Sequence, residues 1–138
     1  MFFNKKEKDS TDFDLVKIGA LLIHAAKIDE NYSIEEENII KKTLLSLGAD
    51  KDKLDTLIEK AKICEENSNQ ILDFTREIKT LEEISKIKII KSLWKIIYSN
   101  NDADIYETNL MRRLAGLLYI DSKIMGDIKE EIKKENLK

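Results

Sequence analysis

The chain has 138 residues, 42% of them apolar and 37% charged, so it is long enough for one folded domain and too apolar for the disordered class. Its 24 basic and 27 acidic residues give a net charge of −3, which disfavours a nucleic-acid binder that works by neutralising phosphates. Cys64 is the only cysteine, which excludes an internal disulfide and a cysteine-based zinc cage and indicates a reducing, cytoplasmic compartment.

The first residues, MFFNKKEKDS, turn polar after two phenylalanines and lack the apolar stretch and cleavage site of a signal peptide. No window of the chain approaches the roughly 20 apolar residues that a membrane span needs. We therefore expect a mobile tail over residues 1–10, a single domain over residues 11–138, and no membrane insertion.

The chain lacks proline, and its apolar residues recur at steps of three and four, which predicts an all-α fold. The first helix is predicted over 11–28, and its centre, IGALLIHAA, is apolar nearly all round, as in the central helix of a bundle. A second helix is predicted over 34–47, with Gly48 as its C-terminal stop. Asp50 is predicted to cap a third helix that ends near Glu66.

The run EENSNQ interrupts the periodicity, and a short helix is predicted after it, over 71–79. The strongest helical pattern starts near Leu81 and carries Trp94 as a core anchor. A further helix is predicted over 105–119, and Asp121 is predicted to cap the last one. The apolar stripe of the strongest helix consists of Ile89, Ile90, Leu93, Trp94, Ile96 and Ile97.

When the sequence is aligned with itself at an offset of 71 positions, the first helical hairpin matches a later one. The alignment keeps the spacing of the apolar residues and the position of the loop between the helices. The pattern predicts a duplicated helix–loop–helix unit. The identical pairs are Leu22 with Leu93, Ile34 with Ile105, Glu36 with Glu107, Asn38 with Asn109, Leu47 with Leu118, and Asp50 with Asp121.

Two acidic segments follow apolar runs at the same place in each copy, IDENYSIEEE and SNNDADIYET. Ser33 and Glu36 fit the capping box, in which the serine oxygen accepts from an N–H three residues on and the glutamate accepts from the N–H of the cap residue. Asp104 and Glu107 fit the same pattern. Helix capping therefore explains most of these carboxylates without a ligand.

The same segments carry oxygen ligands at alternate positions, as tight calcium loops do. Asp29 falls at the end of the first predicted helix, where its charge opposes the helix dipole, so either an Asx-turn or a bound cation must favour it. Neither segment is an EF-hand, because the Gly at the sixth place and the Glu at the twelfth are missing. The sequence predicts a weak, partly hydrated Ca²⁺ or Mg²⁺ site built from Asp29, Asn31, Ser33 and Glu36 in the first segment and Asn100, Asp102, Asp104 and Glu107 in the second.

Nucleophilic chemistry has only two candidate residues, His24 and Cys64. One histidine cannot supply a histidine cluster, and the chain has no Gly-rich phosphate loop. Because both residues lie in apolar helices, we expect them to be buried and inert, and we expect no enzymatic activity.

Lys88, Lys91 and Lys95 recur on the side of the strongest helix opposite its apolar stripe. Such a stripe is typical of a solvated helix face. The alternative is a basic surface, or a groove between helices, that holds a protein partner without metal.

Several motifs follow one another in a defined order: an apolar helix that ends in an acidic loop, a helix that opens with clustered Glu, FTREIKTL, LWKIIYSN with its Trp, a second acidic loop, and RRLAGLLYI. In this order and spacing the chain resembles the TerB-like tellurite-resistance domain from Asp14 to Lys134. The resemblance implies a compact bundle of about seven helices with an internal pseudo-twofold repeat, and no enzymatic activity.

Members of that family typically carry Ala-Asp-Gly in each loop and a Glu a few residues into the next helix. Asp29, Glu36 and Glu107 match this pattern, whereas Glu30 stands at the usual Gly and Asn100 at the second Asp. The loss of that aspartate weakens any cation site that the resemblance implies for the second loop.

The resemblance also implies a role in stress or tellurite resistance, or as a helical adaptor similar to the related domain of a membrane-linked co-chaperone. We expect a module whose acidic loops bind a divalent cation or a basic partner surface. The alternative is a metal-independent scaffold for protein–protein interaction. With either function we expect an unidentified protein partner, which includes a membrane-associated one, no nucleic acid, and a monomer or weak dimer.

Overall fold

The structure, a computed structural model, describes the backbone of residues 12–28, 32–99 and 105–136 and the side chains of residues 14–28, 32–99 and 108–135. Within these ranges the chain forms seven α-helices and no strand, which confirms the predicted all-α fold. The expected tail over residues 1–10 lies outside them. The helices are α1 (Asp12–Ala26), α2 (Ile34–Ser46), α3 (Leu54–Glu66), α4 (Leu72–Ile78), α5 (Glu83–Tyr98), α6 (Ile105–Leu117) and α7 (Ser122–Asn136).

Helix α1 lies at the centre of the bundle, as its apolar sequence predicts. It packs against α2, α3, α4 and α5. A Cβ atom on Gly19 would lie 2.9 Å from the Cβ of Ala61, so only glycine lets α1 and α3 approach this closely. The buried residues of α1 are Leu15, Ile18, Ala20, Leu21, Leu22, Ile23, Ala25 and Ala26.

Helix α5 is the second central element and packs against α1, α2 and α7. Its predicted apolar stripe is buried throughout, and Trp94 is a core residue as expected. The helix begins at Glu83, two residues later than the periodicity suggests. Together α1 and α5 supply about half of the buried apolar residues around which the other helices fold.

The internal repeat is visible in the helix boundaries. Helices α2 and α6 begin 71 positions apart and also end 71 positions apart, and α1 and α5 start at the same spacing. Asp50 Oδ1 accepts a hydrogen bond from the N–H of Asp52 at 3.0 Å, and Asp121 Oδ1 accepts one from the N–H of Lys123 at 2.8 Å. Equivalent positions therefore adopt equivalent local structures.

The ends of α2 and α6 share the Schellman motif. Gly48 (φ 108°) and Tyr119 (φ 59°) occupy the left-handed position. The N–H of Ala49 donates to the carbonyl oxygen of Leu44 at 2.9 Å. The N–H of Ile120 donates to the carbonyl oxygen of Ala115 at the same distance. Gly48 is thus the predicted stop of α2, and α6 ends at Leu117 because Tyr119 has left the helical conformation.

Asp50 does not cap α3 itself, contrary to the expectation. Its side chain caps a 3-10 turn over Lys51–Lys53, and α3 begins after this turn, at Leu54. The carboxylate reaches the N–H two residues on, which favours the tighter turn before the α-helix starts.

The apolar periodicity of α2 predicts that Ile39, Ile40, Leu44 and Leu47 are buried. Ile39 is only partly buried, and the other three lie in the core. In the described residues, no helix combines the length and apolar character that crossing a bilayer requires.

Candidate functional site

The predicted cation ligands fall mostly outside the described residues. Asp29, Asn31, Asn100, Asp102 and Asp104 lie there, as does the side chain of Glu107. Among the described residues, no group of three or more His, Cys, Asp or Glu side chains could hold a metal ion. The Ca²⁺ or Mg²⁺ site therefore stays a prediction, as does the capping box at Asp104 and Glu107.

Ser33 and Glu36, the two predicted ligands with described side chains, form the expected capping box at the start of α2. The N–H of Glu36 donates to Ser33 Oγ at 3.1 Å, and Glu36 Oε1 accepts from the N–H of Ser33 at 2.7 Å. Only 1% of Glu36 is exposed, so its carboxylate is held inside the protein. This part of the acidic segment has a clear structural role.

Glu37, one residue further on, joins α2 to α3. Its carboxylate accepts from the hydroxyl of Tyr32 at 3.1 Å and lies 3.3 Å from Lys62 Nζ and 3.5 Å from Lys41 Nζ. Burial raises the pKa of Glu37, but the hydrogen bonds from Lys62 and Tyr32 outweigh it and bring the pKa below its ordinary value. Burial and the Glu37 charge raise the pKa of Tyr32. Glu37 is therefore an ionised interhelical link.

His24 is not buried, contrary to the expectation, because it lies where α1 meets α3 and α4. Its side chain is 38% exposed, its Nδ1 lies 3.3 Å from Glu65 Oε2, and its ring centroid lies 5.9 Å from that of Phe74. Lys27 Nζ donates to the other oxygen of Glu65 at 2.7 Å. Cys64, on α3 beside Glu65, is likewise only partly buried.

A groove runs between α2 and α5, and four lysines line it. We call it the lysine groove; its volume is about 400 Å³. Lys42 comes from α2, and the predicted stripe of Lys88, Lys91 and Lys95 comes from α5. The stripe faces α2 across the groove, with Lys95 exposed to solvent and Lys88 and Lys91 partly buried. The remaining lining residues are Ile39, Thr43, Ser46 and Ser92.

Two of the lysines in the lysine groove have structural partners. Lys88 Nζ donates to the carbonyl oxygen of Ser46, at the end of α2, at 3.1 Å. Lys91 Nζ lies 3.4 Å from a Glu131 carboxylate oxygen on α7. Lys42 and Lys95 form no ion pair with any described residue. The groove thus holds two positioned ammonium groups and two that can pair with a ligand.

The floor of the lysine groove is polar at one point and apolar at another. The buried hydroxyls of Thr43 and Ser92 are hydrogen-bonded to each other across α2 and α5, and the partly buried Ile39 adds apolar surface. No acidic residue lines the groove within the described part of the chain. Lys91 is paired with Glu131, and the other three lysines form no ion pair with a described residue, so the concave surface attracts anions. Carboxylates are the anions that protein partners most often present.

Sequence reasoning identified three of the four lysines but missed Lys42, Thr43 and Ser92. Lys42 appears in the sequence only as the second residue of a Lys-Lys pair on a different helix. Its relation to the α5 stripe depends on how α2 packs against α5, and no local pattern carries that information.

The family model described as Tellurite resistance protein TerB matches residues 15–130 of the chain, which is most of its length. No curated protein sequence and no solved structure gives a significant match. The family match agrees with the all-helical structure and with the resemblance noted from the order of the sequence motifs. The chain therefore belongs to the TerB family of tellurite resistance proteins.

Proposed function

We propose that this TerB-family chain is a non-enzymatic binding module that acts as a helical adaptor, and that the lysine groove holds an acidic surface of a protein partner. The observation that carries the proposal is the convergence of four lysines from two helices on one groove without a lining carboxylate among the described residues. The whole chain has a net charge of −3, so this groove differs in sign from the protein as a whole.

The partner we propose is an amphipathic acidic segment. Its carboxylates would pair with Lys42 and Lys95, which are not engaged in ion pairs with described residues. An apolar side chain of the segment would contact Ile39. We favour protein over nucleic acid because a nucleic acid carries a negative charge at every phosphate, so the net charge of −3 repels it more strongly than a peptide segment with a few carboxylates.

This proposal is tested by amide NMR of the labelled protein during titration with a synthetic amphipathic peptide rich in Glu and Leu. We expect saturable shifts along the groove-facing parts of α2 and α5, weakening as salt is added because exposed charge pairs are screened. Shifts confined to other surfaces, or tighter binding of an oligonucleotide than of the peptide, would contradict the proposal.

A second candidate function is divalent cation binding by the acidic segments around Asp29 and Asp102, with Ca²⁺ or Mg²⁺ as the ion, or binding of a basic partner surface there. The sequence pattern supports this candidate, because oxygen-bearing side chains recur at alternate positions in both segments, as they do in calcium loops. Glu36 belongs to the first of these sets, and its carboxylate already accepts the N–H and the hydroxyl of Ser33.

Glu36→Gln separates the two roles of this residue, since glutamine can still complete a capping box but is a poorer ligand for a hard cation. If the segments bind calcium, the wild type should show saturable amide shifts over residues 29–37 and 100–107, and the variant should need a much higher calcium concentration. Magnesium serves as the competitor. Identical titrations of the two proteins would count against Glu36 as a ligand, and no shift in either would remove the cation function.

A role in stress or tellurite resistance is a further part of the proposal and rests on family membership. We place the module in the cytoplasm because its single cysteine suits a reducing compartment. The test is growth on tellurite of a deletion strain complemented with the wild-type gene or with a Lys42→Glu/Lys95→Glu variant. Rescue by the wild type alone supports a resistance role through the groove, whereas equal rescue by both genes contradicts it.

A further inference from the structure

Trp94 has a buried hydrogen-bond donor without a partner. The residue is 2% exposed, and its indole Nε1–H meets no acceptor among the described residues. Its ring stacks on that of Tyr98, with 5.9 Å between the centroids and 25° between the planes. Buried donors nearly always have acceptors in native proteins, so this N–H calls for an explanation.

Trp94 also lines a cleft where α5, α6 and α7 meet. The facing residues of α6 and α7 recur at helical spacing, so each helix supplies one wall. Met111 and Met125 make the cleft apolar, and Gly126 leaves it open, since a Cβ at that position would meet nothing within 4 Å. We call this the tryptophan cleft; its volume is about 230 Å³, enough for a small ligand or one peptide residue.

Two cations stand at the tryptophan cleft. Lys129 Nζ lies 5.4 Å from the centroid of the Trp94 ring, and Arg112 lines the cleft from α6. Neither side chain forms an ion pair with a described residue, and no acidic residue lines the cleft within the described ranges. Trp94, whose buried indole donor is unpaired within the described part of the chain, thus lines one apolar space together with Lys129 and Arg112.

We propose that the tryptophan cleft binds a carboxylate carried on a small apolar group. The apolar part fills the space between Met111 and Met125, and the carboxylate accepts hydrogen bonds from the Trp94 Nε1–H and from one or both cations. A carboxylate suits a guanidinium fork and carries only one charge, so it costs less to dehydrate in an apolar cleft than a phosphate does. This site lies on other residues than the lysine groove and is independent of the proposed function.

The proposal is tested on the whole protein by following the indole N–H signal in NMR, which is unambiguous because Trp94 is the only tryptophan. Hexanoate is the probe, hexanol is the matched neutral molecule, and acetate is the matched anion without an apolar chain. We expect hexanoate alone to move the indole signal and the methyl signals of Met111 and Met125 saturably. Absence of a saturable shift with hexanoate, or equal shifts with hexanol, would overturn the proposal.

Surface variants identify the cations without disturbing the core. Lys129→Gln or Arg112→Gln should weaken hexanoate binding about tenfold, as expected for the loss of one charge-assisted hydrogen bond. Lys134→Gln, an exposed position of α7 that does not line the cleft, is the matched control and should change nothing. Equal weakening of hexanoate binding by all three substitutions would mean that only the net charge of the protein matters, and it would overturn the assignment of the cleft.

One further comparison identifies the source of the carboxylate. N-acetylglycyl-leucine presents the C-terminal residue of a peptide, whereas hexanoate represents a free small acid. Stronger binding of the peptide acid than of its amide and of hexanoate assigns the cleft to a chain terminus. Stronger binding of hexanoate assigns it to a small-molecule acid.

Discussion

Glu65 shows how a single side chain can hold two helices together. Its side chain is 11% exposed. One carboxylate oxygen, Oε1, lies 2.7 Å from Lys27 Nζ, and the other, Oε2, lies 3.3 Å from His24 Nδ1. Burial raises the pKa of Glu65, but the hydrogen bonds from Lys27 and His24 outweigh it and bring the pKa below its ordinary value. The ionised carboxylate therefore stabilises the contact between the end of α1 and α3.

We predict that Glu65→Gln lowers the free energy of unfolding at pH 7 by about 1–2 kcal/mol, since it removes charge-assisted hydrogen bonds. The folded-state pKa of Glu65 lies below the unfolded value, so this stabilisation is present above the unfolded pKa and is lost as the pH falls through the folded pKa. Urea unfolding near neutral pH and again at acid pH should show a large difference between variant and wild type that shrinks in acid.

The matched control for Glu65→Gln is Glu66→Gln, an exposed neighbour on the same helix that should be nearly silent. A loss of stability at Glu65 that stays the same at both pH values would contradict the assigned role of its charge.

We predict that Ser33→Ala costs about 1 kcal/mol of stability, because it leaves the N–H of Glu36 without its capping acceptor. Ser33→Thr is the control, since threonine keeps the hydroxyl that accepts from the N–H of Glu36 and donates to Glu36 Oε1. Thermal or urea unfolding measures both. If the two variants lose stability equally, the capping hydrogen bond is not what makes Ser33 important.

For single side chains, the sequence predicted those contacts that depend on a few consecutive residues. The capping box at Ser33 and Glu36 spans three positions and was found correctly. The exposure of His24 was predicted wrongly, because it is set by α3 and α4, which lie far away in the sequence.

At the scale of helices, the most informative feature is the pair of Schellman motifs that end α2 and α6. Gly48 takes the left-handed conformation without a steric penalty, whereas Tyr119 takes it with a side chain in place. The Tyr119 ring centroid lies 5.9 Å from Lys79 Nζ and 5.8 Å from Lys86 Nζ, and these cation–π contacts offset part of the backbone cost.

We predict opposite signs for two glycine substitutions. Gly48→Ala should cost about 1 kcal/mol, because its φ of 108° strains any residue with a side chain even though the space around it is open. Gly116→Ala, inside α6 and also in open space, should gain about 0.5–1 kcal/mol from better helix propensity. The melting temperatures of both variants test this, and a gain in both would contradict the role of Gly48 as a strained helix end.

Helix periodicity predicted every helix of the described chain, because an amphipathic face is a local property of the sequence. The ends were less certain, since they depend on single hydrogen bonds. Asp50 favoured a 3-10 turn over a direct cap on α3, and α1 ends at Ala26, two residues before the predicted end.

At the scale of the whole molecule, two copies of a helical hairpin build one bundle around α1 and α5. The lysine groove lies where these copies meet, since α2 belongs to the first and α5 to the second. The tryptophan cleft, in contrast, lies within the second copy together with α7. The sequence identified the three lysines of the groove that lie on α5, but it could not assemble either site, because each needs side chains from helices whose packing the local patterns do not specify.

One affinity comparison decides whether the lysine groove is the partner-binding surface. Fluorescence anisotropy with a labelled amphipathic acidic peptide measures binding by the wild type, by Lys42→Glu/Lys95→Glu in the groove, and by Lys51→Glu/Lys60→Glu on exposed positions that do not line it. Both variants carry the same net charge, so long-range repulsion is matched. We predict at least about tenfold weaker binding for the groove variant and a much smaller change for the control. Equal losses in the two variants, or no loss in the groove variant, would contradict the proposal.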